Sequence, residues 1–201
     1  MSPLRGLLGN ATTCRSTTRE WAPSYTILAT VACATVACDI CTKLSAQRYF
    51  AGHPGALEVW KHYVIFVFIV NRGAAWGLLP NITPNLFQPF FFVSTVGAAA
   101  VIVLGYRRLK GPSVPSRWGF ALLLGGVLGN EVDRLWHGYV ADFIKLYVPP
   151  DSIHARSTCN LADLAIRIGF GLIGVDFLIS KRAGTRTPAN TRVTGRGGSR
   201  I

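Results

Sequence analysis

Charge is scarce in this sequence, and acidic charge above all. The 201 residues carry 9 Asp and Glu against 21 Lys and Arg. Charged residues make up 15% of the chain, where a soluble domain holds about 25%. That shortage excludes an ordinary solvated surface, and the length excludes a large soluble multidomain enzyme. The short signatures of several chemistries are missing too: there is no G-x-S-x-G, H-E-x-x-H, S-x-x-K or G-x-x-x-x-G-K. Serine, zinc and nucleotide chemistry lose their support with them. Cys38 and Cys41 form a C-x-x-C, but a zinc site needs about four ligands. Cys14 and Cys33 are not at matching spacing and Cys159 stands far away, so the pair reads as small apolar residues at a helix end. The G-x-G-x-x-G from Gly169 to Gly174 follows no strand, and like Gly125 and Gly129 it reads as close helix packing.

What is present is apolar. Half the residues are hydrophobic and the mean hydropathy is +0.34. A spanning helix needs about 20 mostly apolar residues, and four segments qualify or nearly so: Trp21 to Cys38, Leu86 to Tyr106, Trp118 to Asn130 and Leu161 to Ile179. The third is short and ends against Glu131, Asp133 and Arg134. The fourth carries Asp163, Arg167 and Asp176, which are costly in lipid unless they face protein or the interface. A basic arm followed by an apolar run with small residues near Ala34 to Ala37 also fits a cleaved signal segment, but with further spans downstream it serves equally as the first anchor.

The net charge of +12 fits nucleic acid or an anionic membrane surface. Its distribution favours the membrane. Arg5, Arg15 and Arg19 precede the first span; Arg107, Arg108, Lys110 and Arg117 lie between the second and third; Lys181 and Arg182 follow the fourth. By the positive-inside rule all three groups are cytoplasmic, as are both termini, which leaves the first and third connections outside. Within the first of these, His62 to Val70 is β-branched and aromatic and predicts a strand. The expected fold is a mainly α membrane protein, with four transmembrane helices and a small extracytoplasmic β-sheet between helices 1 and 2. Residues 1–20 read as a polar basic arm, 21–180 as the four-span domain and 181–201 as a basic, disordered tail.

The few acids cluster. Asn130, Asp133 and Arg134 stand at i, i+3, i+4 on one helix face, or as a helix-end salt bridge. Asn160 and Asp163 stand at i, i+3, which is also the spacing of an N-cap. Asp142 sits among Val140, Ala141, Phe143 and Ile144, an unusual setting for a surface acid. Two carboxylates converging in a desolvated site would share one proton, the arrangement of an aspartic protease, with no metal or cofactor required. His154 and Cys159, five apart, specify little as a base and nucleophile. His53, His62 and His137 have no acidic or cysteine partners at ligand spacing and read as interfacial side chains.

Taken together, the segments resemble the bacterial lipoprotein signal peptidase, the signal peptidase II family. DICTK from Asp39 to Lys43 is similar to the family's D-x-x-T/S-K, and NRGAAWG from Asn71 to Gly77 to its N-x-G-A-A-F-G. GGVLGNEVDR from Gly125, GYVADF from Gly138 and NLAD from Asn160 follow in the family's order. The resemblance implies an intramembrane aspartyl endopeptidase that cuts prolipoproteins before the lipid-modified cysteine of the lipobox. By the same resemblance Asp142 and Asp163 match the catalytic pair and Asn71, Asn130, Arg134 and Asn160 the substrate site. Asp39, Lys43, Asp133 and Gly73 match supporting positions. It further implies membrane lipids and prolipoproteins as partners, no nucleic acid, a monomer, and residence in the inner membrane with the site at the outer face. Trp76 replaces the usual Phe and Cys159 the usual aromatic, and Val148 to Thr158 is unlike the family and would form a lid of its own shape. The rival readings are a small transporter or ion-binding protein using the same acids, and a structural subunit in which they merely pair with Arg134 and Arg167.

Overall fold

The computed structural model describes residues 24–60, 63–72, 84–109, 113–146 and 157–184. The N-terminal arm, Gly73 and Trp76, His62, the lid stretch up to residue 156 with His154, and the tail beyond residue 184 lie outside the described residues. Among the described residues there are four helices and two pairs of strands: α1 (Tyr25–Gly52), β1 (Ala56–Trp60), β2 (Val64–Asn71), α2 (Pro84–Arg107), α3 (Val114–His137), β3 (Val140–Leu146), β4 (Ser157–Cys159) and α4 (Leu161–Gly184). By length and composition, Tyr25–Gly52 and Leu86–Arg107 are long and apolar enough to cross a membrane.

α3 is the central helix, packed against α1, α2 and α4, and its glycines are the reason. A Cβ on Gly119 would meet the Gly169 carbonyl at 2.8 Å, and one on Gly126 would meet the Ala162 carbonyl at 2.5 Å. These two residues, one heptad apart, let α4 approach backbone to backbone. On the α1 side, a Cβ on Gly125 would strike Thr35 at 2.6 Å and one on Gly129 would lie 2.9 Å from an Asp39 carboxylate oxygen. The G-x-x-x-G spacing is therefore packing, as the sequence suggested, and in G-x-G-x-x-G only Gly169 makes a close approach; Gly171 and Gly174 face open space. α1 answers with Leu28, Ala32, Asp39 and Lys43 as its buried residues, a stripe at helical spacing. Tyr106, fully buried, closes the far end by donating its hydroxyl to the Ser24 carbonyl at 2.6 Å.

Polarity is distributed inside out. Phe92, Val93, Val101, Phe170, Phe177 and Leu178 are largely exposed, while Asp39, Lys43, Asn130, Glu131, Asp133, Asp142 and Asn160 are buried. A water-soluble domain does the reverse; a helix bundle in lipid places its ionisable groups in this way.

The strand predicted from His62 is found as β2. The sheet, however, is not confined to the connection between the first two helices: it has four antiparallel strands in the order β1-β2-β3-β4, and β3 and β4 come from the α3–α4 connection. The VADFIKL run hid its strand character because its one acid faces inward rather than marking a solvent side. α3 ends where Gly138 adopts φ 76° and its N–H caps the Arg134 carbonyl at 2.9 Å. A left-handed residue there turns the chain directly from helix into β3.

Gly126→Ala should lower the thermal midpoint in detergent, because the Ala162 backbone cannot yield as a side chain can; strain of about 1–3 kcal/mol is expected. Gly171→Ala, facing open space, should leave the midpoint near that of the parent.

Candidate active site

Three elements meet at the C-terminal end of α3 and the N-terminal end of α4. Asn160 caps α4: its Oδ1 accepts from the Asp163 N–H at 3.0 Å, and Asp163 Oδ2 accepts in return from the Asn160 N–H at 3.4 Å, a reciprocal capping box. A second carboxylate joins from another helix, as Asp39 Oδ1 accepts from the Ala162 N–H at 2.8 Å. Two acids thus lie on one helix N-terminus, where unpaired N–H groups and the helix dipole favour negative charge. The capping interpretation of NLAD holds, and it coexists with the placement of Asp163 at a polar cluster.

Asp142 reaches that cluster from β3. Its Oδ1 accepts from Asn160 Nδ2 at 2.9 Å; its Oδ2 accepts from Asn71 Nδ2 at 3.0 Å and from the Thr158 hydroxyl at 3.2 Å. Asn71 stands within reach because of a β-bulge. Phe66 pairs with Ile144 but Ile69 pairs with Asp142, so β2 advances three residues where β3 advances two. In an unbroken register Asn71 would point to the opposite face; the extra residue moves it onto the face of Asp142.

The two acids are joined through amides. Asn160 Nδ2 also donates to Asn130 Oδ1 at 3.0 Å, and Asn130 Nδ2 donates to Asp163 Oδ1 at 2.8 Å. Lys43 fixes the middle of this chain: its Nζ donates to Asn130 Oδ1 at 3.1 Å and pairs with Asp39 at 2.6 Å and Asp133 at 3.0 Å. Asp133 Oδ2 in turn accepts from the Ala141 N–H at 3.0 Å, which ties the strand bearing Asp142 to α3. Asp142 is 1% exposed and Asn160 0%, while Asp163 is half-buried. One acid is therefore sealed and the other accessible. Burial pushes the Asp142 carboxyl above the usual carboxylate range; the Asp163 charge adds to this, against the hydrogen bonds from Asn71, Thr158 and Asn160. Burial likewise raises the thiol of Cys159, which keeps it neutral and unsuited to nucleophilic attack.

Of the residues expected from sequence, Asp142, Asp163, Asn71, Asn130, Asn160, Asp39, Lys43 and Asp133 form one connected network. Arg134 stands beside it. Its guanidinium pairs with Glu131 at 3.5 Å and lies 4.5 Å over the Phe91 ring. Gly73 lies outside the described residues. Sequence reasoning did not assign Thr158, whose signal was only a hydroxyl two residues before Asn160. It did not pair Thr95 with Glu131, on different helices. His137, read as partnerless, has its Nδ1 3.9 Å from an Asp133 oxygen one turn back.

Residues 31–179 match the family model described as Signal peptidase (SPase) II. The chain belongs to the signal peptidase II family. It is similar to the lipoprotein signal peptidase of Syntrophotalea carbinolica, 33% identical over 149 residues that cover 74% of this chain and 89% of that protein. The Geobacter sulfurreducens lipoprotein signal peptidase is 30% identical over 160 residues, 80% of this chain and 96% of the other. A solved bacterial membrane enzyme superposes with TM-score 0.64 at 25% identity, over 86% of this chain and 99% of its own; a second gives 0.63 at 26%, over 79% and 97%. Membership in signal peptidase II makes this chain a membrane protease that removes signal peptides from prolipoproteins. The matched segment begins within α1 and ends within α4, so the whole polar network falls inside it.

Lys43→Met should destabilise the protein by about 3–5 kcal/mol, since Asp39 and Asp133 would stay buried without a counter-charge. Adding Asp39→Asn and Asp133→Asn should restore much of the lost thermal midpoint in detergent.

Proposed function

We propose that this signal peptidase II is an intramembrane aspartyl endopeptidase in which Asp142 and Asp163 activate water. The observation that carries the reading is the unequal setting of two acids bridged by Asn160 and Asn130, one sealed beneath hydrogen bonds from Asn71, Thr158 and Asn160 and the other half-buried. Two carboxylates in such a site hold one proton between them. The sealed Asp142, with its raised pKa, retains the proton, which the rotatable Thr158 hydroxyl can accommodate. Among the described residues Asp163 receives N–H donors alone, from Asn130 and Asn160, which suits a carboxylate. It takes a proton from the attacking water while Asp142 polarises the scissile carbonyl, and a proton then passes to the leaving amine. No step requires a metal or cofactor.

The substrate we infer is a diacylglyceryl-modified prolipoprotein, cut immediately before the lipid-bearing cysteine. Asn71, Asn130, Arg134 and Asn160 are the donors and acceptors that an extended peptide would meet; Asp39, Lys43 and Asp133 hold the network in position, and Gly73 is given a supporting part by its motif alone. All four helices cross the membrane in this reading. The acids of α3 and α4 that lower their hydropathy have internal partners: Asp133 on Lys43, Glu131 on the Thr95 hydroxyl and Asp176 on the Ser116 hydroxyl. Such pairing reduces the penalty of placing acids in a span. The basic connection between α2 and α3 and the basic residues at the end of α4 lie in the cytoplasm, and the sheet with the acid pair lies at the outer face of the inner membrane. The protein acts as a monomer and binds no nucleic acid; residues 1–20 and those of 181–201 that follow α4 are appendages to the peptidase domain.

Asp142→Asn and Asp163→Asn should each reduce cleavage of a lipidated prolipoprotein about a thousand-fold or more, with expression and membrane insertion unchanged. Wild-type-like turnover in either variant would remove the acid pair from the mechanism.

A further inference from the structure

One buried acid has no part in the water-activating network. Glu131 follows Asn130 directly on α3, yet it turns toward α2 and is 5% exposed. A carboxylate there has given up its water, which is expensive unless charge and hydrogen bonds replace it. Its Oε2 accepts from the Thr95 hydroxyl at 2.8 Å and lies 3.5 Å from Arg134 Nη1. Its Oε1 is buried with no hydrogen-bond partner among the described residues.

The surrounding contacts all converge on Arg134. Gln88, Phe91 and Thr95 stand at i, i+3, i+7 on α2 and so share one face. Gln88 Nε2 donates to the Arg134 carbonyl at 3.3 Å, and the Phe91 ring lies under the guanidinium at 4.5 Å. Thr95 holds the carboxylate that faces the guanidinium's edge. The arginine is thus gripped by a ring below and an anion at one edge, with its side chain 20% exposed. A guanidinium has five N–H donors in a rigid fork, and the single contact to Glu131 engages one end of it. The buried lone pairs of Oε1 can accept a second donor, which would convert this contact into a bidentate pair.

We propose that Glu131 is a positioning residue for substrate binding: held by Thr95, it clamps Arg134 against Phe91 so that the remaining guanidinium donors are aimed at backbone carbonyls of the prolipoprotein. The proposal rests on the substrate-binding role given to Arg134 above. It gives Glu131 an effect on how well substrate is held rather than on how fast the bond is broken, since none of its contacts reaches Asp142 or Asp163. A neutral Gln in its place keeps the volume and the bond from Thr95 but loses the attraction for the arginine.

The test is steady-state cleavage of a diacylglyceryl-modified prolipoprotein by the full chain in detergent. Glu131→Gln is expected to raise KM about ten-fold, the loss of one charge-assisted hydrogen bond, with a much smaller change in kcat and no loss of thermal midpoint. Arg134→Gln should raise KM at least as much, and the double variant should be no worse than Arg134→Gln alone, because the two side chains act as a unit. Thr95→Val should give a smaller rise in the same direction. An unchanged KM in Glu131→Gln alongside a raised KM in Arg134→Gln would overturn the clamp while leaving the substrate role of Arg134 intact, as would additive losses in the double variant. An unchanged KM in Arg134→Gln would overturn the binding role itself, and the clamp with it. Equal losses of midpoint, kcat and KM in Glu131→Gln would assign the residue a structural role and overturn the proposal.

Discussion

The ammonium of Lys43, 3% exposed and enclosed by Asp39, Asp133 and Asn130, is the constraint on which the other contacts depend. A lysine this deeply buried is costly unless carboxylates surround it, and each of its partners has a second bond to a different element. Asp39 holds the N-terminus of α4 through the Ala162 N–H, Asp133 holds the start of β3 through the Ala141 N–H, and Asn130 passes from the lysine to both Asn160 and Asp163. One cation therefore sets the relative positions of α1, α3, α4 and the strand that carries Asp142.

Backbone approach makes this geometry possible. Only glycine at positions 125 and 129 lets α1 come near enough for Asp39 to span the gap to α4, and only glycine at 126 lets Ala162 sit where its N–H meets that carboxylate. The sheet supplies the remaining acid. Its bulge between Phe66 and Ile69 turns Asn71 toward Asp142, so a one-residue irregularity in a strand determines which side chains share the site. Around all of this the apolar residues face outward, in keeping with a membrane enzyme whose polar chemistry is enclosed by its own helices.

Much of the site was legible in the sequence because its parts lie at short, regular spacings. Asp39 and Lys43 stand at i, i+4, Asn130 and Asp133 at i, i+3, and Asn160 and Asp163 at i, i+3, so helical geometry alone places each pair on one face. The scarcity of acids made their clustering visible. The relations between pairs were less accessible. Lys43 meets Asn130 across 87 residues, and no local pattern encodes that contact. β3 and β4 escaped notice because a strand of 7 residues with a buried acid, joined to one of 3, has neither the length nor the alternation of a half-exposed strand. The bulge has no sequence signature here, since VIFVFIVN is apolar at nearly every position. Glu131 was seen only as one acid among several; its partner Thr95 lies on another helix, and only the packing of α2 on α3 gives it a role.

The pH dependence of kcat/KM tests the shared-proton account most directly. It should be measured on a diacylglyceryl-modified prolipoprotein, over the range in which the thermal midpoint is constant. A pair that works with one proton loses activity on both sides. On the acid side the pair takes up a second proton, and no carboxylate is left to accept one from water. On the alkaline side the proton retained by Asp142 is lost, at a pH above the ordinary carboxylate range because burial raises that carboxyl. The account predicts a bell with both limbs present in the wild type. A rate that keeps rising or stays level toward alkaline pH, as a thiolate or hydroxide nucleophile would give, would contradict it.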